Sequence, residues 1–312
     1  MKKPELVVNA KNPDEAKAFF EAGADAVVIG DQRFMLTNIG SFTPRQMKEM
    51  VEFGHSLNKK VYFLVDAVMT NDLIDEFSLF LPEIIDVGFD GIRFWDLGVY
   101  QLLKNIDHAP PMHLIDQMML TNYGTLNYWN EKRVSRGRLA HELTLNELIE
   151  IKHNVAIEVE ILAHGAPLMF TSRRRLLDNY IEFQKTFGEE IKVTGDDDFL
   201  YDEERDLKYP MIQNAHGTHI FGGTDVCMID DLDKIFHFNA LYLESFTYNN
   251  SDFLKIIETY RFSINLLSES LEKYAQARRP LFKAVEKYQP SNRKLDAGFN
   301  YKPTIYKNKQ EE

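Results

Sequence analysis

At 312 residues, with 44% apolar and 27% charged side chains, the chain can bury a full core as one large domain or a domain plus an insert. Its single cysteine, Cys227, excludes an internal disulfide framework and a four-thiolate metal or cluster site. A net charge of −12 excludes wide phosphate neutralisation, so any RNA contact must be a local patch. Lys132, Arg133, Arg136 and Arg138, and the run Arg173-Arg174-Arg175, are candidates, although each reads first as ordinary solvated surface charge. No run of about 18 apolar residues occurs, and Met1-Lys2-Lys3-Pro4-Glu5 leads into only about four apolar residues. Those features point to the cytosol, with no membrane partner.

In chain order, β-branched or apolar runs alternate with amphipathic stretches, the pattern of βαβ units on a parallel sheet. Strands are expected at Glu5–Asn9, Ala26–Gly30, Val61–Asp66, Gly91–Trp95, Met112–Asp116, Gly137–Ala140 and Ile157–Leu162, with an eighth at Ala240–Glu244. Eight such strands make an α/β fold, a TIM-like (β/α)8 barrel. Asn12-Pro13-Asp14-Glu15, Thr43-Pro44-Arg45-Gln46 and Thr144-Leu145-Asn146-Glu147 each set a cap residue ahead of Pro or of a capping-box Glu or Gln. Ala22-Gly23-Ala24 has the small residues for a tight helix-to-strand turn.

The alternation breaks over residues 165–239, read as an insertion between strands seven and eight. It holds the Arg run, a helix near Leu176–Phe187 and a solvated, mobile acidic loop from Gly195 to Glu204. Asp252–Ala277 then reads as one long amphipathic helix, and Pro280, Pro290 and Pro303 punctuate the remainder of the chain. The barrel domain is taken as 1–290 including the insertion, and 291–312 as a tail packing on it. Within the tail, Asn292–Phe299 should be ordered and the last five residues disordered.

Function in such barrels sits at the carboxyl ends of the strands. Asn9, Asp31 with Arg33, Asp66, Asp96, Asp116 with Gln117, His141 with Glu142, His164, and Glu244 all fall where apolar runs stop. Carboxylates converging with two histidines suit proton transfer, a divalent metal or recognition of a small polar ligand. His164, Glu142 and Glu244 are the catalytic candidates. Asn9, Arg33, Asp66, Asp96, Gln117, His141 and Arg174 are the substrate-binding candidates. Asp66, Asp96 and Asp116 serve equally well as helix caps or loop anchors. No metal motif, Walker loop, Gly-x-Ser-x-Gly or Gly-x-Gly-x-x-Gly is present, and Cys227 reads as a small buried thiol.

Several of these segments, taken in order, resemble the U32 peptidase (collagenase-like) family. They are Ala22-Gly23-Ala24-Asp25, then Gln117 and Asn122, Leu139-Ala140-His141-Glu142-Leu143, Glu158 to Ala166, Asp225-Val226-Cys227 before Asp230, Tyr260-Arg261, and Asn292-Arg293 with Gly298-Phe299. The resemblance spans nearly the whole chain and is closest to the smaller, YrrN-like branch. It implies oxygen-independent hydroxylation of RNA or quinone precursors, with four cysteines holding an iron–sulfur cluster. Here the positions matching two of those cysteines are Leu168 and Arg175, and no Cys pair follows Asn179. The arginine usual before Glu142 is His141, and the family's Lys-Ile-Glu-Gly-Arg stretch is reduced to Tyr242-Leu243-Glu244-Ser245-Phe246. The resemblance therefore implies a chain with no cofactor of its own. It would pair with a longer, cluster-bearing U32 paralogue to hydroxylate the wobble uridine of tRNA, touching RNA through a local basic patch. The alternatives are a collagenase-like peptidase and a non-catalytic binding or scaffold barrel.

Overall fold

The computed structural model describes residues 2–37, 40–115, 119–188 and 199–302. In chain order, β1 (Glu5–Asn9), α1 (Pro13–Glu21), β2 (Ala26–Ile29), α2 (Pro44–Ser56), β3 (Lys60–Val65), α3 (Asn71–Val87), β4 (Gly91–Phe94), α4 (Leu97–Leu103), β5 (Met112–Leu114), α5 (Tyr123–Glu131), β6 (Val134–Arg138), α6 (Leu145–His153) and β7 (Glu158–Gly165) form a strict alternation. After an intervening region, β13 (Ala240–Leu243) pairs in parallel with both β7 and β1 and closes the eight-stranded parallel barrel. The expected barrel is therefore the observed one. Its sixth strand starts three residues earlier than expected, with Ser135 and Arg136 inside it rather than ahead of it.

The helices begin where the cap residues say they should. Asn12 accepts the backbone N–H of Glu15, and Thr43 and Thr144 each close a reciprocal capping box with Gln46 and Glu147. Apolar residues at alternate strand positions, such as Leu6 and Val8 or Val61, Phe63 and Val65, face the helices and make the outer core. The opposite parity faces the lumen.

Between β7 and β13 lie β8 (Leu168–Ser172), α7 (Leu176–Lys185), β9 (Phe199–Asp202), β10 (Leu207–Asn214), β11 (Gly217–Phe221), β12 (Thr224–Cys227) and the short α8 (Leu232–Ile235). A four-stranded antiparallel sheet runs β8-β11-β10-β9. Sequence reading foresaw only the helix here; residues 195–198 of the acidic loop lie outside the described residues, and Phe199–Asp202 forms a strand. A small apolar cluster of Leu36, Ala166, Leu168 and Phe221, joined by Val68, Trp95, Ile212 and Phe246, packs this sheet over the barrel's carboxyl-terminal mouth. β12 runs antiparallel to β7, and β14 (Lys294–Asp296) adds in parallel to β12.

The expected single helix over 252–277 is two helices, α9 (Asn250–Glu269) and α10 (Leu271–Lys287). Ser270 between them is extended (φ −159°, ψ 120°), and its side chain accepts the N–H of Lys273 as the cap of α10. Pro280, expected to punctuate the chain beyond the helix, lies inside α10.

Candidate functional site

The lumen is charged, which is unusual for a closed interior. At its amino-terminal end Arg136 donates to Glu5 (2.7 Å) and through Nε and Nη2 to Glu158 (2.9 and 2.6 Å), while Lys60 and Tyr62 also donate to Glu5. Burial alone would raise the Glu5 carboxyl, but Arg136 and these donors outweigh it and hold it at about 2. At mid-height, Arg93 makes a two-pronged contact with Glu160 (2.8 and 2.5 Å), and both side chains are fully buried. Burial, followed by the neighbouring Arg136 and Arg93 charges, pushes the His113 imidazole well below its ordinary value. Arg136 and Arg138, expected among surface charges, are only 2% and 5% exposed. The alternation of β6 turns both inward, where β7 supplies Glu158 and Glu160 at matching positions.

At the carboxyl-terminal mouth the pairing thins out. The Arg138 guanidinium lies over the Tyr242 ring, 4.5 Å from its centroid, and its nearest carboxylate is Glu160 at 4.0 Å. Asp66 accepts from the N–H groups of Leu36 (2.7 Å) and Thr37 and from the Thr37 hydroxyl, pinning the loop after β2. Glu244 accepts from the Tyr242 hydroxyl (3.1 Å) and the Phe246 N–H (3.2 Å). Burial raises both carboxyls above their ordinary values. Asn9 accepts the Ser245 N–H and fastens β1 to the turn after β13. His141 is mostly buried with Nδ1 unpartnered, and burial followed by the Arg138 charge lowers it to about 4. The structure thus brings Asn9, Asp66, His141 and Glu244 to the mouth, with Asn9 and Asp66 occupied in holding loops.

His164 corrects the expectation that it stands on the rim. Between β7 and β13, Leu162 faces Tyr242 while His164 faces Leu243, so Ala163 is an extra residue. That bulge turns the His164 ring away from the lumen, onto Tyr260 of α9 (5.5 Å between centroids), with Nε2 bonded to the Tyr248 hydroxyl (2.8 Å). The ring is fully buried and Nδ1 has no partner. Burial lowers it from 6.5 to about 4, partly offset by Asp225. Because the folded value is below the unfolded one, His164 favours the fold fully above about pH 6.5, and that contribution drains away as pH falls towards about 4. In His164→Gln, the pH dependence of the unfolding free energy over that window should flatten by one proton, about 1.4 kcal/mol per pH unit. Urea titrations from pH 4 to 7 would read it.

The remaining candidates are scattered. Asp96 is the cap of α4, bonding Gly98 N–H (2.7 Å), and its other oxygen takes Met69 N–H. Asp116 and Gln117 lie outside the described residues. Glu142 is exposed beside His141. Arg33 pairs with Asp31 and Glu76 and stacks on Phe34 and Phe80. It lines a cleft of about 580 Å³ between the β2 and β3 loops and the inserted sheet, with Gln32, Thr70, Arg173 and His216 on its walls. Arg174 is exposed next to this cleft, its carbonyl taking the Thr218 hydroxyl. A second cleft of about 420 Å³ opens between Trp95 and Trp129. Sequence reading missed the lumen arginines and the buried cluster in which Asp225 receives Arg293, Gln289 and Tyr248. The signal for the first was available in the i, i+2 pairs Arg136/Arg138 and Glu158/Glu160.

The residues present do not fit an iron–sulfur cluster. Cys227 is buried with its thiol beside the Tyr260 hydroxyl, and burial pushes it up to about 12, far from the thiolate a cluster requires. Leu168 is buried under the inserted sheet, and Arg175 is paired with Asp178 at the surface.

A family model for peptidase family U32 matches residues 11–310. Over 309 residues the chain is 34% identical to tRNA hydroxylation protein P2 of Bacillus subtilis (strain 168), covering 98% of this chain and 100% of that protein. It is 32% identical over 181 residues to tRNA hydroxylation protein P1 of the same strain, covering 58% of this chain but only 43% of that longer protein. Among solved structures, dihydrodipicolinate synthase has a TM-score of 0.50 at 12% identity, covering 93% of this chain and 85% of that one, a likeness of fold alone.

Proposed function

Since this chain belongs to peptidase family U32, we propose that it is the cluster-less subunit of a pair that hydroxylates tRNA wobble uridine, working with a longer, cysteine-bearing relative. The observation that carries this reading is the end-to-end match to a tRNA hydroxylation protein of the same length class. A longer tRNA hydroxylation protein in the same organism as that relative supports the pairing. The chain's own chemistry points the same way. Its one thiol is inert and its fit to a cluster fails, so the redox step belongs to the partner. Arg173 and Arg174, exposed beside the cleft that Arg33 lines, form the local basic patch for RNA phosphate. Glu244 at the mouth and the exposed Glu142 beside His141 are the acid groups this reading assigns to the substrate, while His164 lies in the wall behind.

The test is mass spectrometry of wobble-uridine modification in total tRNA from a strain lacking the gene and any second hydroxylation route. Hydroxylated uridine should disappear, return with the wild-type gene, and return only in part with Arg173→Glu/Arg174→Glu. The wild-type chain should co-purify with the longer relative. An unchanged modification profile in the deletion strain overturns the reading.

A further inference from the structure

We propose that the outer face of the inserted sheet, together with α7, is where a second copy of this chain docks, a self-association that goes beyond the pairing with a longer relative and does not rest on it. The sheet has two faces. Leu168, Ile212 and Phe221 point into the apolar cluster over the mouth. Strand alternation turns their neighbours the other way, and the register aligns those neighbours: Phe170 lies beside Ile220, Ile220 beside Met211, and Tyr209 beside Leu200. An apolar row therefore crosses all four strands on the side away from the barrel. None of its five members is buried, and Phe170 and Leu200 are 43% and 52% exposed.

Only one end of this face is covered. The N–H groups of Leu176 and Leu177 donate to Thr218 (2.9 Å) and Gln213 (3.0 Å), and Gln213 donates to Asp178 (2.8 Å), which fastens α7 where β10 ends and β11 begins. The helix buries none of its own residues, and Tyr180, Phe183 and the following Phe187 are all more than half exposed. The other end, at Tyr209 and Leu200, is bare among the described residues. Such a face matches itself, because a two-fold axis across the strands lays the apolar side of α7 in each copy over the bare end of the other. The same axis sets Lys185, in the last turn of α7, on the side of the second copy's acidic turn at Asp202, Glu203 and Glu204. At about 100 Å² for each half-exposed side chain and less for the other three, the face offers roughly 600 Å² of apolar surface. A stable complex covers about 800 Å² per partner, so with its polar rim the face suffices for a dimer in the micromolar range.

Sedimentation velocity on the full-length chain from about 1 to 100 μM should show a reversible monomer–dimer equilibrium. Leu200→Glu and Phe183→Glu, each placing a charge at a position already exposed, should weaken it by at least about tenfold at an unchanged urea midpoint. Leu79→Glu, 85% exposed on α3, should leave it as it is. Because Cys227 is buried, a short bis-maleimide should join a Phe183→Cys chain to a Leu200→Cys chain far more readily than it joins either variant to itself. A chain that stays monomeric over the whole range overturns the proposal, as does a dimer that survives both glutamates, or cross-linking no greater between the two cysteine variants than within one. A monomer whose complex with the longer relative is lost in both glutamate variants gives the face to that relative and overturns the assignment to a second copy. The RNA reading is judged separately, by the modification profile of the deletion strain.

Discussion

Glu160→Leu should lower the unfolding free energy by about 3–5 kcal/mol, the range for removing one partner of a buried ion pair. The loss arises because Arg93, 1% exposed, keeps its charge with no acceptor in reach, while Arg136 and Arg138 lose the carboxylate that lies 3.7 and 4.0 Å from them. Adding Arg93→Met should recover much of the loss, since an apolar pair of similar volume needs no desolvated charge. Urea unfolding of the two variants separates the outcomes: a double variant as weak as the single one would mean that Glu160 serves mainly Arg136 and Arg138. The acid limb carries the same information. Burial raises the Glu160 carboxyl, but Arg93, Arg138 and Arg136 together leave it below its ordinary value of 4.5. Its stabilisation is thus complete above about pH 4.5 and is lost as pH falls through the lower folded value, a loss absent from Glu160→Leu.

Gly165→Ala should cost roughly 2–5 kcal/mol, combining backbone strain and overpacking. Gly165 has φ +101°, where a Cβ is disfavoured, and that Cβ would stand 2.4 Å from the Glu244 carbonyl oxygen. The obstacle is backbone, so it cannot rotate aside. The damage should localise to the join of β7, β12 and β13, read as faster amide exchange at Val226 and Glu244 than at β2 and β3. Uniform exchange across the barrel would count against that account.

These two sites show what the sequence made legible. Barrel strands announced themselves through β-branched runs, and three helix starts through Asn12, Thr43 and Thr144, because each signal is local. The motifs that carried the family resemblance prove to be fasteners. Asp25 and the Gly23 carbonyl hold Arg261, the Tyr260 hydroxyl bonds the Ala163 carbonyl, and Arg293 clamps Asp225. Arg136 and Arg138 were misread as surface charge because charge ordinarily means water, and only the closure of β6 against β7 makes the lumen their surroundings. The His164 bulge and the inserted antiparallel sheet depend on pairing between distant segments, for which local pattern carries no signal.

The charged lumen also sets an order of events during synthesis. Arg93 and Glu160 are 67 residues apart, Arg136 and Glu5 are 131, and the strand that seals β1 to β7 begins only at Ala240. Until that strand leaves the ribosome the lumen is an open trough, and its arginines and glutamates remain hydrated. Water must therefore leave the interior when the barrel closes, so dehydration of the polar core follows the pairing of β13 with β1 and β7 rather than preceding it.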